Sequence, residues 1–142
     1  MFSSSKKIVV VDDSILNLKI IEKFLGQSYI EIISCIESTK AIELIKKEMP
    51  DLVLLDIHMP HLSGFDILKE MISDPQLSLI PVIFITASED RFYLKQAFDL
   101  GSIDYLHKPI LKEELISKVH NYLFHLEEKN ILLRYFHIID EY

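Results

Sequence analysis

Asp12, Asp13, Asp56, Thr86 and Lys108 share one kind of location: each stands at, or within two residues of, the end of a short apolar run. Carboxylates from separate runs that meet at one point repel each other and raise each other's pKa unless a cation sits among them. Their hard oxygens, with room left for water and a phosphate, suit Mg2+, which prefers octahedral oxygen sites at about 2.0–2.1 Å and keeps much of its hydration. A carboxylate is also a competent nucleophile for forming an acyl phosphate, and an ammonium and a hydroxyl beside it can neutralise the equatorial oxygens of a phosphoryl group in transit. Asp13 taken alone reads equally well as a cap for a following helix, because Asp after a strand often does only that. His58 and His61 flank Asp56 and are formally candidates for zinc or copper, but histidines on an exposed loop are more often simply solvated.

The elements that must position these side chains follow from hydrophobic periodicity. Ile8–Val11, Leu52–Leu55 and Val82–Ile85 are continuous apolar runs rich in Val and Ile, the pattern of parallel strands covered on both faces. Glu31–Ile36 and Ile103–Leu106 are of mixed polarity, which suits strands nearer a sheet edge. Between the runs lie helical patterns. Ile15, Leu18, Ile21 and Leu25 recur at helical spacing up to Gly26, with Asp13 or Ser14 as cap. Further helices are expected over Thr39–Met49, stopped by Pro50, over Gly64–Ile72, and over Asp90–Leu100, closing at Gly101. A last one begins near Lys112, after Pro109. Five βα units fold by the right-handed crossover rule as a doubly wound α/β domain with a five-stranded parallel sheet. Such sheets bind ligands beyond the carboxyl ends of their strands, where strand order reverses, and that rim is where the polar residues fall.

A length of 142 residues accommodates one domain with a sizeable core, and 49% hydrophobic residues exclude intrinsic disorder. The longest apolar runs fall far short of a membrane span of ~18 residues, and Met1–Lys7 carries no apolar stretch of the signal-peptide kind. The single Cys35 permits no internal disulfide, in keeping with a reducing cytoplasm. A net charge of −7 is a poor match for a phosphate backbone, so direct nucleic-acid binding is not expected.

Together, the Asp12–Asp13 pair, the stretch Leu54–Leu55–Asp56–Ile57–His58–Met59–Pro60 with Gly64 four residues beyond, Thr86–Ala87, and Lys108–Pro109 resemble the receiver domain of two-component response regulators, over Lys6 to about Phe124. The resemblance implies a flavodoxin-like sheet of order 2-1-3-4-5 flanked by five helices. It implies that Asp56 takes a phosphoryl group from the phosphohistidine of a sensor kinase or phosphotransfer protein. Asp13, Asp56 and the backbone carbonyl of His58 would hold Mg2+, with Asp12 acting mainly through a bound water. Lys108 would pair with the phosphoryl oxygens, Thr86 would hydrogen-bond the phosphoryl group, and Tyr105 takes the place of the aromatic switch residue. His58, together with Ser88, occupies positions that in this family tune how long the acyl phosphate lasts. An altered lifetime is expected, of unassigned direction. The outcome would be a switched surface for a downstream effector protein in the cytoplasm, a phosphoacceptor rather than a turnover enzyme.

Other residues read as structural: Pro60 and Gly64 shape the loop and start a helix, Cys35 is a small core hydrophobe, and His107 lies in a loop beside Lys108. Tyr105 also reads as an ordinary edge-strand aromatic packed on a helix. His120, His125 and His137 read as surface residues. Residues 1–124 are expected to form the domain and 125–142 a helical extension. Its apolar residues, Ile131–Leu133 and Tyr135–Ile139, would rarely stay in water as one patch, and Val119, Leu126 and Leu133 are spaced by seven. Pairing of this helix in a homodimer is preferred to its folding back or leading to an output domain. Two other functions fit less well. A dehalogenase-type phosphohydrolase needs a second Asp two residues after the nucleophile, where His58 stands, and a flavodoxin-like cofactor binder needs a glycine- and hydroxyl-rich loop where Asp12 and Asp13 stand.

Overall fold

Ile8, Val9, Val10 and Val11 are all fully buried, yet they point alternately to opposite faces of a sheet. Ile8 and Val10 join one apolar cluster with Leu18, Ile21, Leu115 and Val119. Val9 and Val11 join another with Ile45, Ile67, Met71 and Ala97. Helices therefore cover both faces, and this is why the strand reads as a run instead of an alternation.

The computed structural model describes residues 5–26, 29–87, 91–102 and 104–124. The elements in order are β1 (Lys6–Val11), α1 (Ile15–Leu25), β2 (Ile30–Cys35), α2 (Ala41–Glu48), β3 (Leu52–Asp56), α3 (Gly64–Ser73), β4 (Val82–Thr86), α4 (Arg91–Leu100) and β5 (Asp104–His107). A last helix, α5, covers residues 112–124 of the described chain. The sheet is parallel throughout with order β2-β1-β3-β4-β5, as the resemblance implied. Its outermost strands are the two of mixed polarity, β2 and β5, and α1 and α5 pack on one face with α2, α3 and α4 on the other. No helix among the described residues is long and apolar enough to cross a membrane.

The helix starts obey local chemistry. The Ser14 hydroxyl accepts from the amide of Asn17 at 3.3 Å, so Ser14 and not Asp13 caps α1. A reciprocal capping box between Ser63 and Asp66 starts α3.

Three expectations need correction. The helix foreseen over Thr39–Met49 is a short 3-10 turn, Ser38–Lys40, followed by α2, and Ser38 at the start of the turn donates its hydroxyl to the carbonyl of Pro60 at 2.7 Å. Met49 leaves the helix in the left-handed region at φ 44°, its amide still bonded to the Ile45 carbonyl, one residue before Pro50. His107 is the last residue of β5, in register with Thr86, and not a loop residue. His120, expected at the surface, is half-buried, with its Nε2 3.2 Å from the Tyr29 hydroxyl. The extension over 125–142, including His125 and His137, lies outside the described residues, as does Ser88.

Candidate functional site

Sheet register decides which polar residues meet. β1 pairs with β3 so that Val11 faces Leu55, which brings the next residues, Asp12 and Asp56, level on adjacent strands. β1 has neighbours on both sides, β2 and β3, so Asp12 stands where the order reverses. Thr86 ends β4, and its carbonyl accepts the amide of Lys108 at 2.8 Å, which carries the ammonium back towards the carboxylates. The Lys108–Pro109 peptide is cis.

Carboxylate oxygens of Asp12, Asp13 and Asp56 lie within 4.8 Å of one another. Lys108 Nζ is 3.3 Å from Asp12 Oδ2 and 3.3 Å from Asp56 Oδ2. Asp12 and Asp56 are buried, at 0% and 2% exposure, and Asp13 is exposed. One lysine thus faces two buried acids with a third at the mouth. The local field is negative. Burial first, and the Asp12 charge second, push the Asp56 carboxyl up to about 6, with Asp13 adding to both; the charge and hydrogen bond of Lys108 pull it the other way.

Asp12 Oδ1 accepts the amide of Ser14 at 2.9 Å, but Asp12 Oδ2 has no hydrogen bond among the described residues. Its lysine neighbour is close enough to attract it without making a hydrogen bond. A buried, unbonded carboxylate oxygen in a cluster of oxygen donors fits a hard divalent cation such as Mg2+, and the half-exposed geometry leaves room for waters. With Ser14 serving as the helix cap, the carboxylate of Asp13 is left for the cluster.

The backbone of the loop after Asp56 is tightly built. The amide of Gly64 donates to the Ile57 carbonyl at 2.8 Å, and a Cβ at Gly64 would collide with the carbonyl of Asp56 while meeting Ile57 Cα and Phe84 Cε1 at 3.0 Å each. Only glycine lets the start of α3 approach the end of β3 this closely. Ser38 ties the same loop to α2, donating to Pro60 and accepting from the Leu62 amide at 3.2 Å.

Thr86 is fully buried beneath the rim. Tyr105 lies farther off, half-buried on the α4 side: its ring meets Phe98 edge-on at 5.9 Å and His107 at 5.2 Å, and Lys118 Nζ sits 5.0 Å from its centroid. His58 is exposed, and its ring packs against Tyr93 of α4 at 5.3 Å. His61, in the left-handed region at φ 72°, lines a cleft with Asp13, Ile36, Glu37, Ser38, Thr39 and Pro60. Neither imidazole belongs to the carboxylate cluster. Cys35 is buried with its thiol donating to the Glu37 carbonyl, and burial pushes its pKa up, as suits a core residue. Sequence reasoning missed Tyr93 altogether. It is one aromatic among several on α4, and only the packing of α4 against α3 singles it out.

Residues 8–120 match the family described as the response regulator receiver domain. The response regulator PleD of Caulobacter vibrioides is 34% identical over 115 residues, 81% of this chain and 25% of its own length. The polar-differentiation response regulator DivK of Brucella ovis is 31% identical over 119 residues, 84% of this chain and 97% of its own. The chain spans about a quarter to a half of the length of PleD and several other curated relatives it matches. Among solved structures, a response regulator from Desulfuromonas acetoxidans superposes with a TM-score of 0.77 at 28% identity, covering 85% of this chain and 98% of that one.

Proposed function

The chain belongs to the response regulator receiver domain family, and from that premise we propose that Asp56 is its phosphoacceptor, loaded in a Mg2+-dependent reaction from the phosphohistidine of a sensor kinase or phosphotransfer protein. The observation that carries this reading is Lys108 Nζ at 3.3 Å from both Asp12 and Asp56, inside a group of carboxylates that share one small space.

The chain's own residues divide the work. Asp56 supplies the nucleophilic oxygen, and burial raises its basicity. Lys108 offsets the charge of the incoming phosphoryl oxygens and then holds the product. Thr86 offers its hydroxyl to the phosphoryl group once that group is present. Asp13, Asp56 and the backbone carbonyl of His58 would hold Mg2+, with Asp12 reaching it through water. Bound there, the ion would neutralise the cluster and offset phosphoryl charge. Movement of Thr86 would open space for Tyr105, now packed on Phe98 of α4, and so bias two arrangements of the β5 and α4 surface.

On this reading the domain, residues 1–124, recognises a downstream effector protein, and the extension, residues 125–142, pairs in a homodimer. The chain acts as a phosphoacceptor in the cytoplasm, without direct nucleic-acid contact or membrane attachment. Incubation with acetyl phosphate and Mg2+, read by intact mass, tests the central step. Wild type gains one phosphoryl group that is labile in base, and Asp56→Asn gains none. A wild-type protein that stays unmodified, or an Asp56→Asn variant that is modified equally, sinks the proposal.

A further inference from the structure

A column of aromatic rings runs from the core to the acceptor loop. Phe84, fully buried on β4 and in register with Leu55 of the acceptor strand, meets Phe65 of α3 at 5.3 Å and 70°. Phe65 stacks on Tyr93 of α4 at 6.1 Å and 16°, and Tyr93 meets the His58 ring edge-on at 5.3 Å and 89°. The column starts beside Leu55, one residue before Asp56, and ends on the residue two beyond it. The Gly64 amide bonded to the Ile57 carbonyl sets the start of α3 on the strand end, so Phe65 is fixed in place. His58 itself is exposed, and burial does nothing to hold it.

We propose that Tyr93 is a positioning residue that holds the His58 ring at the α4 side of the acceptor and thereby lengthens the life of the phosphoryl group on Asp56. The inference rests on Asp56 being the phosphoacceptor. Loss of the group is hydrolysis: a water oxygen bonds to phosphorus as the bond from phosphorus to the Asp56 oxygen breaks, its electron pair returns to the carboxylate, and the water's proton leaves with inorganic phosphate or to solvent. That attack needs a water in line with the breaking bond. An imidazole confined two residues from the acceptor narrows the approach, and one free to swing does not. Edge and face contacts of this kind are directional, and Tyr93 has a rigid neighbour behind it in Phe65. The position of His58 alone leaves the direction of its effect open, and the Tyr93 contact supplies it.

The test has two readouts on the full chain. In the first, protein is phosphorylated with acetyl phosphate and Mg2+, the donor is removed, and decay of the modified mass is followed. Tyr93→Leu is expected to shorten the half-life about 2- to 10-fold, the range an aromatic pair can contribute. Tyr93→Phe, which keeps the ring, retains the wild-type half-life, and Tyr93→Leu added to His58→Ala has no further effect. In the second, carbon-bound ring protons of His58 are followed by NMR without phosphorylation. Their ring-current shift is lost in Tyr93→Leu and kept in Tyr93→Phe. An unchanged or longer half-life in Tyr93→Leu, an equal effect in the His58→Ala background, or unmoved His58 resonances overturns the proposal. A wild type that takes up no phosphoryl group overturns instead the reading of Asp56 on which it rests.

Discussion

Lys108 Nζ stands 3.3 Å from Asp56 Oδ2, and still the Asp56 carboxyl is pushed up to about 6. Attraction to one ammonium loses to burial and to the neighbouring Asp12 charge, so burial together with repulsion among the carboxylates outweighs their one cation. The folded protein holds the Asp56 proton more tightly than the unfolded chain does, where the value is 3.8. The resulting stabilisation is complete below pH 4 and lost as pH rises through about 6. At neutral pH ionised Asp56 therefore costs stability. Asp56→Asn is expected to raise the unfolding free energy at pH 7.5, without divalent cations, by about 1–3 kcal/mol, with the gain vanishing near pH 4. Urea melts at both pH values check this, and a variant less stable than wild type at pH 7.5 contradicts it.

Lys108 counters two buried carboxylates, so its removal leaves both uncompensated. Lys108→Met should destabilise the protein at neutral pH by about 3 kcal/mol in the absence of metal, as breaking a buried pair does. A divalent cation bound to the cluster takes over part of that duty, and so Mg2+ should raise the melting temperature more in the variant than in wild type. Protons and metal compete for Asp56, which makes the Mg2+ effect in wild type fade as pH falls below about 6. Thermal melts with and without Mg2+ at pH 5 and pH 7.5 measure both effects. Equal Mg2+ shifts at the two pH values would count against a metal site built on Asp56.

Two glycines separate site geometry from plain stability. At Gly64 a methyl group would run into the backbone at the end of β3, whereas at Gly101, with φ +109°, the nearest atom to an added Cβ is Ile72 Cδ1 at 3.6 Å and the objection is conformational. Gly64→Ala should cost about 1–3 kcal/mol and slow phosphorylation, because the strand end must shift. Gly101→Ala should cost about 1–2 kcal/mol and leave the phosphorylation rate alone. Denaturant melts and acetyl phosphate uptake, measured side by side, decide it; equal uptake by the two variants would mean that the close approach of α3 does not set the geometry of Asp56.

The sheet was legible because its central strands are continuous runs of Val, Ile and Leu, and the register then brought Asp12, Asp56 and Thr86, which follow or end those runs, to one rim. The mixed polarity around Glu31 and Asp104 correctly marked the outermost strands, since an edge strand has one unpaired side open to solvent, where charge is tolerated. What could not be read was anything set by contacts between helices. The Ser38 bond to Pro60, Met49 entering the left-handed region, and Tyr93, backed by Phe65, meeting the His58 ring depend on distances that no local pattern encodes. The capping choice at Asp13 and Ser14 was open in the sequence for a related reason: both side chains are competent caps, and only the backbone path shows which one reaches the Asn17 amide.

Tyr105 is held by more than its neighbours on α4. Lys118 of α5 donates to the Tyr105 carbonyl at 2.7 Å and to Asp104 Oδ1 at 3.2 Å, with its ammonium 5.0 Å from the Tyr105 ring centroid. The cation lies on the ring's electron-rich π system and favours the present ring position by about 0.5–1 kcal/mol, the usual size at a partly exposed site. If Tyr105 exchanges between two positions when Asp56 is loaded, Lys118 weights the unloaded one. Lys118→Met keeps the aliphatic stem and deletes the charge, so it should shift that equilibrium about 2- to 5-fold towards the other position before any phosphoryl group is added. Tyr105 ring resonances should then move part of the way to the values reached with beryllium fluoride and Mg2+, while Asp56 phosphorylation proceeds at its ordinary rate. Resonances that stay at their unloaded wild-type values in Lys118→Met would show that the ammonium does not bias the ring.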